Sequence, residues 1–188
     1  MNSLKKPIVT AILAGMLAAP AFGQQATEAP ATPAPPPTPP CTADENFRAF
    51  DFWVGDWEVT TWPGGGAIGG HNKISPVEGG CALEERWTNA QGGTGRSLNY
   101  YNPNTGKWRQ LWVAGGYSID IVGGLKDGAM ALEGTIYYYR QKNSVPFKGT
   151  WTPQPDGSVR QFFEQYNAET KEWAVWFDGK YVRYTPED

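Results

Sequence analysis

Phe52-Trp53-Val54-Gly55-Asp56-Trp57-Glu58-Val59 opens a pattern that stays strand-like to the end of the chain. From there on, aromatic and β-branched residues alternate with polar ones in short runs. Clusters of Gly, Pro, Asn and Asp interrupt them roughly every ten residues, the spacing of an antiparallel barrel or sandwich. The pattern predicts strands over 52–62, 67–77, 81–88, 95–102, 107–114, 117–123, 129–139, 145–152, 158–167 and 172–184. Turn chemistry separates them at Pro63-Gly64-Gly65-Gly66, Pro103-Asn104-Thr105-Gly106, Lys126-Asp127-Gly128 and Pro153-Gln154-Pro155-Asp156-Gly157. Asp178-Gly179 is read as a bulge in the last strand instead of a further hairpin. The expected fold is all-β: a single antiparallel meander β-barrel of about ten strands. One helical start stands ahead of it, where Thr42 and Glu45 fit a capping box before Phe47 and Phe50. A short N-terminal helix there would cover one mouth.

Outward from this domain the composition changes. Lys5 and Lys6, an apolar run ending near Ala19, and Ala21-Phe22-Gly23 form the three regions of an export signal with cleavage after Gly23. Residues 24–40 are almost entirely Pro, Ala, Thr and Gln, and predict a disordered linker. Residues 41–188 are the size of one domain. No transmembrane segment is expected in the mature chain. Pro39-Pro40 before Cys41, far beyond the apolar run, argues against lipidation of that cysteine. The expected location is periplasmic or secreted.

Two cysteines in an exported chain favour a disulfide between Cys41 and Cys81. Residues 41–188 hold 14 of the 16 basic and 18 of the 19 acidic residues, without any Lys/Arg cluster. Nucleic acid is therefore not expected as a partner, because phosphate neutralisation relies on such a cluster.

Alternation within strands proposes what lines the interior. Trp108, Gln110 and Trp112 share one face of the fifth strand, and Arg109, Leu111 and Val113 the other. Alternation alone allows either set to face in, but two flat apolar walls with an amide between them suit a ligand cavity. In the third strand Leu83, Glu85 and Trp87 share a face, so a buried Leu83 and Trp87 would draw Glu85 inside. There it needs a partner or a proton. Candidate partners are Asn72, Asn99, Tyr101 and Gln161. The opposite possibility, a solvent-facing Glu85 beside an edge Trp, stays open on sequence alone.

Familiar catalytic arrangements are missing. His71 is the single histidine, which leaves multi-histidine metal sites unsupported, and with Lys73 and Ser75 it falls on the solvent side of its strand. Gly64 to Gly69 formally satisfies G-x-G-x-x-G but leads into a strand, so it is a turn. Glu84, Glu85, Glu133 and Glu164 lie on predicted strands, and paired-carboxylate chemistry would need a definite separation between two of them.

Gly55-x-Trp57 on the first strand with Tyr181-Val182-Arg183-Tyr184 on the last resembles the closure signature of lipocalin-like (calycin) barrels. The resemblance implies Trp57 across the closed end with Arg183 stacked on it, a cation–π contact of roughly 0.5–2 kcal/mol. The runs at 50–57, 80–87, 97–103, 108–113 and 151–153 resemble a family of exported bacterial lipocalin-like barrels of unknown function. That family brings fold and compartment but no substrate. Haem-binding nitrobindin barrels are a weaker likeness, since no histidine follows His71, and no cofactor is expected. The expected function is non-catalytic binding of a small, partly apolar molecule by Glu85, Trp87, Asn99, Tyr101, Trp108, Gln110, Trp112 and Gln161. One alternative is an enzyme using Glu85 as acid or base. Another is an interaction module on a flexible stalk, with a filled interior and an external apolar patch.

Overall fold

The computed structural model describes residues 40–185. The expected leader (1–23) and all of the expected linker except Pro40 lie outside the described residues. Pro40 opens a single α-helical turn, Pro40–Ala43, followed by 3₁₀ turns at Glu45–Arg48 and Asp51–Trp53. Ten strands follow: β1 Gly55–Thr61, β2 Ile68–Val77, β3 Ala82–Asn89, β4 Thr94–Asn102, β5 Lys107–Ala114, β6 Tyr117–Lys126, β7 Ala129–Tyr138, β8 Asn143–Pro153, β9 Val159–Asn167 and β10 Glu172–Arg183. Each pairs antiparallel with its neighbours in sequence, and β1 pairs with β10 to close the barrel. The expected meander barrel is the observed one.

Three local readings change. The helix cap falls on Asp44, whose Oδ1 accepts the Asn46 N–H at 2.9 Å, because Glu45–Arg48 is a 3₁₀ turn that starts later than the predicted box. The first strand starts at Gly55 instead of residue 52, because Phe50 and Trp53, three apart, stack at 4.9 Å between ring centroids and are both fully buried. That i, i+3 superposition belongs to a 3₁₀ turn. The bulge in β10 is at Trp176, where the register to β9 shifts between Val175 and Phe177. Asp178 and Gly179 stay in register opposite Phe162 and Gln161. Asp178 is held there by the Arg160 guanidinium through two hydrogen bonds of 2.8 and 2.9 Å.

The lead-in turns block one end of the barrel. Phe50 meets Trp108 and Trp151 edge-on at 5.7 and 5.2 Å. The Trp57 indole N–H donates to the Trp53 carbonyl at 2.8 Å. Arg183 lies 3.9 Å over the Trp57 ring and donates to the Val54 carbonyl at 2.6 Å. A Cβ on Gly55 would overlap that guanidinium, and the residue's φ of +149° is one that side chains rarely adopt. Cys41 and Cys81 are disulfide-bonded, with Cα atoms 4.9 Å apart, which fastens the lead-in to the entry of β3. No helix among the described residues is long and apolar enough to cross a membrane.

Candidate functional site

The strands run from the blocked end to an opposite mouth, where a cavity of about 190 Å³ opens. Two kinds of side chain build it. Its floor is polar: Glu85, Gln110, Gln161 and the Tyr181 hydroxyl. Its walls are the rings of Trp87, Trp112, Tyr117, Phe163, Trp176 and Phe177.

Glycines on the strands make space for these walls. A Cβ on Gly70 would overlap Trp87, one on Gly95 would overlap Trp112, and one on Gly149 would overlap Phe163. In each case the ring lies against bare backbone of the preceding strand, so three bulky side chains are accommodated at the wall. The β10 bulge adds the last wall. An extra residue breaks the two-residue alternation, so Trp176 and Phe177, adjacent in sequence, both line the cavity.

The floor belongs to a hydrogen-bonded belt across β2 to β5. Asn72 Nδ2 donates to Glu85 Oε1 at 2.7 Å, and Ser97 Oγ donates to Glu85 Oε2 at 2.6 Å. Asn99 Nδ2 donates to Ser97 Oγ at 2.8 Å, and Gln110 Nε2 donates to Asn99 Oδ1 at 2.8 Å. Strand register sets up the belt, since Glu85 pairs with Ser97 and Asn99 with Gln110 directly across the ladder. On the other side, Gln161 Oε1 accepts the Trp151 indole N–H at 2.9 Å.

Glu85 is 3% exposed, and its side-chain hydrogen-bond donors among the described residues, Asn72 and Ser97, are both uncharged. Burial disfavours its charged form and raises its pKa to about 7, against the opposing pull of the Ser97 and Asn72 hydrogen bonds. Burial also raises the Tyr117 and Tyr181 hydroxyls, with the Glu85 charge adding to both. The Trp112 indole N–H is buried and lies toward Tyr117 without closing a hydrogen bond.

Of the eight residues singled out from the sequence, Glu85, Trp87, Gln110, Trp112 and Gln161 come together at the cavity. Asn99 is fully buried behind Gln110 and orients it without lining the space. Trp108 and Tyr101 are at the blocked end. Trp108 donates to the Asn46 carbonyl at 3.1 Å, and Tyr101 packs edge-on against Phe47 at 5.1 Å. They are plug contacts and are not among the residues that line this cavity. Sequence reasoning missed Tyr117, Ile119, Trp176 and Phe177, and also Asn89 near the mouth. Alternation with Ile121 on β6 would have found the first two, whereas the bulge hides the other pair.

Among the described residues no group of three or more His, Cys, Asp or Glu side chains is placed to hold a metal ion. No family model matches the chain, and no curated protein matches its sequence. Fold and site together define a class: a closed antiparallel barrel of calycin-like architecture, plugged at one end and hollow near the other.

Proposed function

We propose that this protein is an exported, non-catalytic container for a small, partly apolar molecule. The observation that carries the reading is the cavity of about 190 Å³, with aromatic walls above a hydrogen-bonded polar floor. A barrel interior serving only stability would be packed to crystal-like density. Glu85, Gln110 and Gln161 orient the ligand, and Trp87, Trp112 and Trp176 enclose it. The volume is below the ~300–1,000 Å³ of drug-sized sites, so the molecule is about one ring in size.

Binding is favoured over catalysis by the company Glu85 keeps. Its carboxyl touches an amide and a hydroxyl, and among the described residues no second carboxylate lines the cavity to share acid and base roles. The hollow interior also disfavours a filled interaction module. Export to the periplasm or beyond, through a leader at 1–23 and a linker at 24–40 carrying the domain at 41–188, is supported by the Cys41–Cys81 disulfide. The test is a pair of native and denaturing mass spectra of the full chain purified from an exporting bacterial host. A mass released only on denaturation supports the container. A protein that comes out empty and takes up no small aromatic probe refutes it.

A further inference from the structure

The charges around the cavity are one-sided. Among the described residues Glu85 is the sole carboxylate in its lining, and no Lys, Arg or His joins it there. The neighbouring hydroxyls of Tyr117 and Tyr181 are polar but bring no positive charge. Each Glu85 oxygen accepts one hydrogen bond from the protein, from Asn72 and from Ser97. A carboxylate has about four acceptor sites, so the two donors leave capacity for a third group. A buried carboxylate without a counter-ion is costly, and a cation supplied from outside relieves that cost. The walls favour the same charge, because the faces of Trp, Tyr and Phe attract ammonium groups.

We infer that the cavity takes a small organic ammonium ion, its nitrogen on the Glu85 carboxylate and its carbon framework against Trp112, Tyr117 and Trp176. This deepens the container reading and rests on it. A neutral molecule of the same shape forgoes the ion pair, and an anion meets the Glu85 charge directly. The remaining floor groups, Gln110, Gln161 and the Tyr181 hydroxyl, are uncharged and leave the preference to Glu85.

Isothermal titration calorimetry of the full exported chain at pH 8 tests it with three probes of one shape: benzylamine, benzyl alcohol and benzoate. The expected order is benzylamine tightest, by about tenfold or more over benzyl alcohol, with benzoate weakest. In Glu85→Gln the benzylamine advantage over benzyl alcohol should vanish. If benzyl alcohol or benzoate equals benzylamine in the wild-type protein, the cation preference is overturned and the container stands. If none of the three binds and the native mass spectrum shows no retained ligand, both are overturned. The wild-type order decides the matter even if a variant fails to fold.

Discussion

Replacing Glu85 by Gln should abolish a pH dependence of stability that runs opposite to ordinary acid denaturation. The carboxyl has a pKa of 4.5 in an exposed chain and about 7 in the folded barrel. Between those values the folded state keeps a proton that the unfolded state has released, so stability falls as pH rises. The loss begins near pH 4.5, is complete above about pH 7, and amounts to ~3 kcal/mol at 1.36 kcal/mol per pKa unit. Gln matches the shape, can accept from Asn72 and can donate to Ser97, so the variant keeps the belt without the charge. Urea unfolding of both proteins from pH 4.5 to 8 gives the difference in stability, in which every group they share cancels. Tyr117 and Tyr181, the other titratable groups near Glu85, are both raised above their usual value of 10 and stay silent in this window. The variant should gain on the wild type by ~3 kcal/mol across the range, or roughly 1–3 M in urea midpoint. A constant difference would refute the reasoning, because it would mean that Glu85 is hydrated through the cavity and titrates like a surface carboxylate.

Four further outcomes follow from the geometry. Reducing the Cys41–Cys81 disulfide, which spans 40 residues, should lower stability by about 4 kcal/mol in a denaturant titration, from loop-closure entropy. Trp108→Ala should cost ~3–5 kcal/mol of stability as the plug loses its contacts, yet leave the probe preferences of folded protein unchanged in calorimetry. Trp176→Ala should do the reverse, weakening probe binding more than folding, because its ring lines the cavity and is only partly buried. Gly95→Ala should push the Trp112 indole off its seat. It should cost ~1–3 kcal/mol by overpacking, measured by thermal unfolding, and reduce probe uptake.

The strands were legible because alternation and turn chemistry are local. Lys126-Asp127-Gly128 illustrates this: Asp127 and Gly128 both take positive φ, 51° and 81°, as a two-residue hairpin turn requires. Which residues share a face was legible for the same reason, although alternation alone did not say which face is inward. Depth was not. Trp108 and Trp112 share a face, but four residues of strand separate them by roughly 13 Å, enough to put one in the plug and the other at the cavity. Period-two alternation identifies a face and is blind to distance along it. That distance is fixed by the position of the plug residues Phe50 and Trp53 and by the β1–β10 register, neither of which leaves a local trace. Trp176 and Phe177 were hidden by a bulge, since one extra residue reverses the parity on which face assignment depends.

The closure of β1 on β10 also decides which parts of the molecule are replaceable. Cys41, held to the entry of β3, and Arg183, seated on Trp57 and Val54, are both at the plugged end. The opposite rim is made of five hairpin tips, at 62–67, 90–93, 115–116, 139–142 and 168–171. Each of these connects two strands that are already paired along their length, and the plug is built from other segments. Their sequence and length can therefore be varied as a set to reshape the entrance, while the segments that close the barrel stay as they are. The division resembles that of an antibody domain, with a conserved frame carrying an exchangeable rim, and suits the barrel as a scaffold for selecting binders of other small molecules.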